Sequence, residues 1–343
     1  MVPRRPQPPL EVILLGRMAA KGLQLLKSHL KTPCALRAFP VAQEDHLPLE
    51  ELAGTQVVVG NYFTERMARA APNLRLLQAV GAGVDEFCMD RLSPYTSVAN
   101  VYFHGPAIGE YVVMMMLALS RNLLKLDTEF RKGSWEGSWI WGDPPPEEIR
   151  GKVLGLVGYG HIGREVASRA RAFGMKIWIV SGHVPARKPK SVAFWQGPRG
   201  LRSLLKEADF LVLACPLNPK TRGLIAAREF TLMKPGAFLI NVARGPVVDE
   251  AALYHALRER RIQGAALDVW YRYPTDQTPC EPSQFPFHEL DSVIMTPHVS
   301  GWMRGTRERR FQAIAENIDR LASGRPLRNV LRGPRQQKSI FSA

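Results

Sequence analysis

The sequence predicts an α/β fold built as two lobes. The chain has 343 residues, and a single hydrophobic core stops growing at about 250–300 residues, so two cores are expected. Hydrophobic residues make up 45% of the chain and charged residues 22%, a balance typical of a soluble globular protein. Short apolar runs alternate with amphipathic segments in two separate series, which indicates parallel sheets covered by helices on both faces.

The first series begins after a polar N-terminal tail. Apolar runs at residues 11–16, 56–60 and 74–80 predict buried strands, and residues 17–30 predict an amphipathic helix. The apolar core of the N-terminal stretch, residues 13–15, is too short for a signal peptide or a membrane span. We therefore interpret the first residues as a frayed tail before a strand.

A long apolar helix is predicted over residues 105–123, with the sequence GPAIGEYVVMMMLALSRNL. We expect its Met114–Met116 triplet to pack in the core. Glu110 and Arg121 favour a helix buried between two lobes over a membrane span. The following segment, residues 133–146, is rich in Trp, Gly and Pro and is expected to form an ordered surface loop or arm.

A second α/β series fills the rest of the chain. Its apolar runs predict strands at residues 152–157, 176–181, 210–215, 238–243, 265–269 and 293–296. Its amphipathic runs predict helices at residues 162–173, 201–208 and 250–261, and a final helix from about Arg304 to Ala322. A basic tail follows this last helix.

Composition and charge indicate which kinds of ligand the protein is expected to bind. The formal net charge is +15, but the basic residues are scattered, and no zinc-finger, RNP-like or basic-zipper pattern accompanies them. Small anionic ligands therefore explain the charge better than nucleic acid does. The cysteines are far apart and lack metal-ligand spacing, so we expect no metal and a reducing cytoplasm. They are Cys34, Cys88, Cys215 and Cys280.

The run Gly158-Tyr159-Gly160-His161-Ile162-Gly163 lies between a predicted strand and a predicted helix. In that context GxGxxG indicates a dinucleotide site, because the glycines allow a tight turn, a close pyrophosphate and close helix packing. The anion would lie at the helix N-terminus. The simpler alternative is a tight turn without a ligand.

The end of the next strand predicts which dinucleotide is preferred. An acid there would bind the ribose 2′-hydroxyl and repel a 2′-phosphate, but the chain has Ser181-Gly182-His183. Three cations follow, at Arg187, Lys188 and Lys190. We therefore favour NADP(H) over NAD(H); the alternative is a solvated basic loop beside a site that discriminates little.

Further motifs occur in a fixed order along the chain. They are VGAGVDEF at residues 80–87, the long apolar helix, GYGHIG, NVARG at 241–245, LDV at 267–269 and TPH at 296–298. Together they resemble the D-isomer-specific 2-hydroxyacid dehydrogenase family, which includes glyoxylate and hydroxypyruvate reductases and phosphoglycerate dehydrogenases. The resemblance runs from about residue 56 to 327.

The resemblance implies a domain organisation. A Rossmann dinucleotide-binding domain, residues 104–302, would be inserted in a flavodoxin-like substrate domain built from residues 1–103 and 303–343. The active site would lie in the cleft between them, and the protein would be a homodimer.

The same resemblance, with the chemistry of hydride transfer, assigns the reacting groups. Such a reaction needs a cation for the substrate carboxylate and carbonyl and an acid/base for the hydroxyl proton. Arg244 follows the apolar run FLINVA, where a guanidinium is a poor core residue but a good bidentate carboxylate ligand. His298 stands at the end of a strand and becomes the general acid/base.

Other assignments rest on the resemblance alone. Backbone amides of Ala82 and Gly83 would bind the substrate carboxylate, and Trp302 would line the nicotinamide end of the cleft. Asp268 would orient the nicotinamide carboxamide, with a structural cap as the alternative. Together with the glycine turn and the Ser181 turn, which the residues themselves indicate, the full set of cofactor residues is Gly158, Gly160, His161, Ile162, Gly163, Ser181, Gly182, His183, Cys215, Pro216, Val242, Ala243, Asp268 and Gly301.

The chain departs from the family at one position. Family members carry a Glu five residues after the LDV aspartate, where it bonds the catalytic His, but here that residue is Tyr273, followed by Pro274. Without the carboxylate, His298 should be protonated over a lower pH range, so keto-acid reduction should decline at a lower pH. Glu281 is an alternative partner for His298, since the loop could bring it back.

Two functions remain open from the sequence. The favoured one is reduction of glyoxylate, hydroxypyruvate or a bulkier 2-keto acid. Tyr102, Tyr273 and the loop tryptophans Trp135, Trp139 and Trp141 favour an apolar or aromatic substrate side chain, although the loop rings could equally pack as a surface arm or reach a partner subunit. The alternative is a catalytically weak dinucleotide-sensing regulator, like the related C-terminal-binding corepressors.

Overall fold

The structure is a computed structural model that describes residues 8–41, 47–275 and 278–334. The first part of the N-terminal tail and the end of the basic C-terminal tail lie outside these residues. Two compact units are present. The first contains the described parts of Met1–Phe103, Thr275–Gln277 and Arg304–Ala343, and the second contains His104–Pro274 and Thr278–Met303.

The first unit contains a six-stranded sheet. Its strands are β1 (Leu10–Leu15), β2 (Cys34–Phe39), β3 (Val57–Gly60), β4 (Leu76–Ala79), β5 (Ser97–Ala99) and β13 (Val330–Arg332). They lie in the order β13-β5-β4-β3-β1-β2, and only the β13–β5 pairing is antiparallel. The 2-1-3-4-5 order of the parallel strands is that of flavodoxin-like folds. The helices of this unit are α1 (Arg17–Ala20), α2 (Leu23–His29), α3 (Glu65–Ala70) and α10 (Arg304–Ala322).

The predicted first helix is interrupted in the structure. Residues 17–30 form two short helices, α1 and α2, that are separated at Gly22. A side-chain carbon at Gly22 would lie 1.7 Å from the ring of Phe311. The chain therefore needs a glycine where α10 packs against this region, and a glycine lowers the stability of a continuous helix.

The second unit contains a seven-stranded parallel sheet. Its strands are β6 (Val153–Val157), β7 (Lys176–Val180), β8 (Phe194–Gln196), β9 (Phe210–Leu213), β10 (Phe238–Asn241), β11 (Gly264–Leu267) and β12 (Val293–Met295). Their order is β12-β11-β10-β9-β6-β7-β8, which is the Rossmann order 3-2-1-4-5-6 with one further strand. The helices are α4 (Gly105–Ser120), α5 (Leu123–Phe130), α6 (His161–Ala172), α7 (Leu201–Glu207), α8 (Ala227–Phe230) and α9 (Glu250–Arg258).

Both sheets bury their two faces, as the unbroken apolar strands predicted. Along β1, Val12 and Leu14 belong to one apolar cluster while Ile13 and Leu15 belong to another. Successive strand residues point to opposite faces, so a strand with apolar residues at every position must be covered on both sides. The prediction of an α/β fold with parallel sheets is confirmed.

The long apolar helix is shorter than predicted. The helix α4 ends at Ser120, Asn122 has a φ of 50°, and α5 continues at an angle of 60°. The expectation that all three methionines are core residues is wrong for Met114, which is 52% exposed, whereas Met115 and Met116 are buried. Met114 lies one helical turn after Glu110, which is also exposed, so the two residues share the side of α4 that is not packed against the sheet.

Within the described ranges, no single helix is long and apolar enough to cross a membrane. The bent pair of α4 and α5 has the length and composition of a span only when the two helices are counted together.

The strands of the second sheet end earlier than predicted. Strands β9, β10, β11 and β12 stop at Leu213, Asn241, Leu267 and Met295. The residues assigned to binding and catalysis therefore lie in turns just beyond the strands rather than within them. In an open parallel sheet these turns collect at one edge, where ligands bind.

Candidate active site

The predicted functional residues of the second unit gather at the carboxyl edge of its sheet. Because all the strands of this sheet are parallel, the turns after them meet at one edge. Following the strands in chain order, these turns carry Gly158–Gly163, Ser181–His183, Cys215–Pro216, Val242–Arg244, Asp268 and His298–Trp302.

The glycine turn after β6 has the geometry that its motif predicts. Gly158 has a φ of 100°, and a side-chain carbon there would lie 2.6 Å from the carbonyl oxygen of Ala214. A side chain at Gly163 would lie 2.4 Å from the carbonyl oxygen of Gly158, whereas Gly160 faces open space. Helix α6 begins directly after Gly160, which caps it without a side-chain hydrogen bond. This turn fits a pyrophosphate at the helix N-terminus.

The turn after β7 is held by the side chain of Ser181. Its hydroxyl donates to the carbonyl oxygen of His183 at 2.6 Å and accepts from Trp195 Nε1 at 2.9 Å. This arrangement fixes the turn with neutral groups. The three cations after it, Arg187, Lys188 and Lys190, are all exposed, and the ammonium of Lys188 donates to the carbonyl oxygen of Val192.

The turn that carries Arg244 is held by Asn241, which is buried. The Asn241 side chain accepts from the Ala243 amide at 3.0 Å and donates to the Arg244 carbonyl oxygen at 3.0 Å. The half-buried Arg244 side chain donates to the Ala243 carbonyl oxygen at 2.9 Å. A side-chain carbon at Gly245 would lie 2.3 Å from the backbone oxygen of Trp270, so only glycine lets this turn approach the segment after β11.

The turn that carries His298 is anchored to Asp268, whose side chain is fully buried. Asp268 Oδ1 accepts from the Thr296 hydroxyl at 2.7 Å and from the Val299 amide at 2.8 Å. Asp268 Oδ2 accepts from the Ser300 amide at 2.9 Å. Charge-assisted hydrogen bonds of this kind are the strong ones in proteins, and they give Asp268 the capping function that was the alternative to a cofactor contact.

The backbone of His298 is in the left-handed region. Its φ is 58°, a conformation that costs a non-glycine residue about 1 kcal/mol or more. The two amides that follow His298 are the ones bound by Asp268. The buried carboxylate therefore stabilises the conformation that exposes the imidazole.

Tyr273 contacts His298 directly. The Tyr273 hydroxyl lies 3.0 Å from His298 Nδ1 and accepts a hydrogen bond from the Trp270 amide at 3.1 Å. The other residue considered for this position, Glu281, is exposed. A neutral hydroxyl can donate to or accept from Nδ1, so this pairing suits both protonation states of the imidazole without adding a negative charge.

The remaining predicted residues are distributed over both units. Ala82 and Gly83 are half-buried in the first unit, and the Ala82 carbonyl oxygen accepts from the Asn100 side chain at 2.8 Å. In the second unit, Trp302 is exposed. Burial raises the pKa of the Cys215 thiol to about 11. The arm tryptophans Trp135, Trp139 and Trp141 are exposed, and Trp139 reaches 87%.

Three residues around His298 were not predicted. Tyr111 on α4 hydrogen-bonds Thr296 at 2.7 Å, and Trp270 Nε1 donates to the Thr296 carbonyl oxygen at 2.8 Å. The one available signal was a tyrosine on the buried face of an otherwise apolar helix.

Among the residues that the structure describes, no group of three or more His, Cys, Asp or Glu is placed to hold a metal ion.

Comparisons with known proteins agree with this geometry. The family model described as D-isomer specific 2-hydroxyacid dehydrogenase, NAD binding domain, matches residues 113–300. A glyoxylate reductase of Thermococcus gammatolerans is 34% identical over 330 residues, covering 92% of this chain and 93% of that protein. A D-3-phosphoglycerate dehydrogenase of Methanocaldococcus jannaschii is 32% identical over 294 residues, which are 83% of this chain but 53% of that protein. The chain therefore spans about half the length of this second relative.

A solved structure is also similar over almost the whole chain. It is described as an acyclic imino acid reductase in complex with NADPH and D-Arg. Its TM-score is 0.79 and its sequence identity 26%, and the match covers 94% of this chain and 100% of that one.

Proposed function

We propose that this chain reduces a 2-keto acid to the corresponding 2-hydroxy acid with a nicotinamide dinucleotide, because it belongs to the D-isomer specific 2-hydroxyacid dehydrogenase family. The observation that carries the proposal is the meeting of the glycine turn, Arg244 and His298 at one edge of a parallel sheet. Within this proposal, residues 104–302 bind the dinucleotide, and residues 1–103 and 303–343 supply the substrate domain.

Each residue then has a chemical task. The glycine turn and the N-terminus of α6 beside Gly160 would hold the pyrophosphate of a dinucleotide, which would supply the hydride when bound. Arg244 binds the substrate carboxylate and carbonyl, because its planar guanidinium can donate two parallel hydrogen bonds. His298 delivers a proton to the carbonyl oxygen from Nε2, since Nδ1 is paired with Tyr273.

We expect NADPH to support faster turnover than NADH. Ser181 stands where an acid would select NAD, and Arg187 and Lys190 are exposed nearby. The test follows nicotinamide absorbance with both cofactors against glyoxylate, hydroxypyruvate and bulkier 2-keto acids. The double variant R187A/K190A should lose the NADPH advantage and keep its NADH rate. An NADPH rate equal to that of the unmodified protein would contradict this preference.

The same assay separates the enzyme from a regulator. Turnover of any 2-keto acid supports the proposed function. Tight cofactor binding with no turnover across the whole panel would overturn it and favour a dinucleotide-sensing protein instead. The similar proteins described above are named as a dehydrogenase and two reductases, and this favours the enzyme.

We expect Tyr273 to set the upper pH limit of reduction. The imidazolium of His298 gains a hydrogen-bond partner from Tyr273 but no opposite charge. In Tyr273→Glu, a carboxylate at this position should favour the imidazolium and move the decline of kcat to a higher pH, by about 1 to 3 units. Tyr273→Phe should lower kcat without that displacement.

The control for this pH profile is Glu281→Gln, because Glu281 is exposed in the same loop. Its profile should match that of the unmodified protein. A profile displaced by Glu281→Gln and not by Tyr273→Glu would assign the partnership to Glu281 and contradict the contribution of Tyr273.

A second substrate class is favoured by the pairing of His298 with a neutral hydroxyl group instead of a carboxylate. A protonated imine carries its own proton and positive charge, so its reduction needs no proton from His298 and is opposed by a nearby imidazolium. The similar solved structure is described as an acyclic imino acid reductase. We therefore propose imine reduction as the second candidate, tested by adding amines to the 2-keto acid assay. A secondary amine product detected by mass spectrometry would support it, and hydroxy acid as the sole product would exclude it.

We further propose that the protein is a homodimer. The arm and the helices α4 and α5 expose a set of large apolar side chains: Met114, Leu123, Leu124, Phe130, Trp135, Trp139, Ile140 and Trp141. Apolar surfaces of this kind mark protein interfaces. The double variant W139S/W141S should shift sedimentation towards the monomer, whereas F173S, which changes an exposed ring elsewhere in the unit, should not. A monomeric unmodified protein would contradict this proposal.

A further inference from the structure

A chain of hydrogen bonds connects the interior of α4 to the turn that carries His298. Tyr111, on the buried face of α4, has its hydroxyl 2.7 Å from Thr296 Oγ1. Thr296 Oγ1 is in turn 2.7 Å from Asp268 Oδ1. Asp268 binds the amides of Val299 and Ser300 at 2.8 and 2.9 Å.

The chemistry of the groups fixes the direction of these bonds. An ionised carboxylate only accepts hydrogen bonds, so the single hydroxyl proton of Thr296 is donated to Asp268. The Thr296 oxygen must then accept from Tyr111, which becomes the terminal donor. Burial raises the pKa of Tyr111 to about 12, so this donor keeps its proton throughout the pH range in which such an enzyme would be assayed.

The backbone of Thr296 is fixed from a second side. Its carbonyl oxygen accepts from Trp270 Nε1 at 2.8 Å and from the His298 amide at 3.1 Å. Thr296 thus lies before His298, and the two bound amides lie after it, so the fixed groups flank the residue with the left-handed backbone. With both flanks bound to one buried carboxylate, the turn is held on both sides of the imidazole.

We propose that Tyr111 and Thr296 are positioning residues for His298. They act through Asp268, by holding the turn in the left-handed conformation that presents the imidazole. This inference rests on the proposed function, because it assumes that His298 is the proton donor. It differs from that proposal in assigning a contribution to two hydroxyl groups whose hydrogen bonds lead to Asp268 and not to the imidazole itself.

The experiment compares variants that remove one hydroxyl at a time. Thr296→Val keeps the side-chain shape and loses both hydrogen bonds, and Thr296→Ser keeps the hydroxyl. We expect Thr296→Val to lower kcat about tenfold or more, Tyr111→Phe to lower it about threefold or more, and Thr296→Ser to remain close to the unmodified enzyme. The KM for NADPH should change little, because the glycine turn is untouched.

The two positions should also be coupled. In the double variant Y111F/T296V, kcat should be no lower than in Thr296→Val alone, because Tyr111 acts through Thr296. A matched control is Thr96→Val, which removes a buried threonine hydroxyl that donates to the Leu74 carbonyl oxygen at 2.8 Å in the first unit. It should lower the melting temperature and leave kcat unchanged.

A second readout does not depend on turnover. In protein labelled with ¹⁵N-histidine, the ring resonances of His298, assigned with His298→Gln, should shift in Tyr111→Phe and not in Thr96→Val. Unmodified kcat and unmoved His298 resonances in Tyr111→Phe would overturn the inference. If the unmodified protein reduces no 2-keto acid, the proposed function fails separately, while the resonances still decide whether Tyr111 positions His298. If Thr296→Val does not fold, Tyr111→Phe and Thr296→Ser carry the test.

Discussion

Replacing His298 with glutamine is expected to lower kcat for 2-keto acid reduction by about 10²–10⁴-fold, the usual contribution of a positioned general acid. Glutamine is polar and similar in length, so it keeps much of the packing around Tyr273 while losing the transferable proton. The KM for NADPH should stay close to its original value, because His298 lies outside the glycine turn. Steady-state rates measured at a pH where the unmodified enzyme is fully active provide the test.

The control for this prediction is His288→Gln. His288 is also an exposed histidine of the second unit, in the short turn before β12. Its kcat should equal that of the unmodified enzyme. A His298→Gln variant with unreduced kcat would show that the proton comes from another group, and the proposed mechanism would then be wrong.

Replacing Arg244 with lysine is expected to lower kcat/KM for the 2-keto acid by about 10²–10³-fold. Lysine keeps the positive charge but cannot donate two parallel hydrogen bonds to a carboxylate, and each hydrogen bond to a charged group contributes about 1.5–3 kcal/mol. It also loses the bond to the Ala243 carbonyl oxygen that orients the side chain. The loss should appear in kcat/KM for the keto acid, with NADPH binding, measured by fluorescence, largely retained.

The matched control is Arg258→Lys, at an exposed position at the end of α9. Because Arg258 lies on the surface, kcat/KM should not change. If Arg244→Lys weakened NADPH binding as strongly as keto-acid turnover, Arg244 would be a cofactor residue rather than the substrate ligand.

Much of the site could be predicted from the sequence because its residues follow strands that are easily recognised. The glycine turn, Arg244, Asp268 and His298 each come directly after an apolar run. Parallel strands bring their carboxyl ends to one edge, so knowing which residues follow the strands is almost enough to know which residues meet. At these positions, the local sequence pattern therefore also predicts which residues lie together in the fold.

The bond between Tyr111 and Thr296 could not be predicted in this way. The two residues are 185 positions apart, and a tyrosine within an apolar helix looks like a packing residue. The donors that bind Asp268, which are Thr296, Val299 and Ser300, could not be predicted for the same reason, since a motif gives the position of a carboxylate but not its hydrogen-bond partners. Met114 shows the limit of a prediction based on apolar residues alone, because the acid that marks the exposed side of α4, Glu110, lies four positions earlier on the same face.

The left-handed backbone of His298 places two opposing demands on one position. Glycine adopts a φ of 58° without the steric cost that a side chain adds, so the residue that would make this turn most stable is one that cannot carry a proton. The turn keeps an imidazole only because the buried carboxylate of Asp268 secures the next two amides. Selection for thermal stability alone would therefore remove the reactive group, and activity at this position depends on a conformational energy that the rest of the fold must offset.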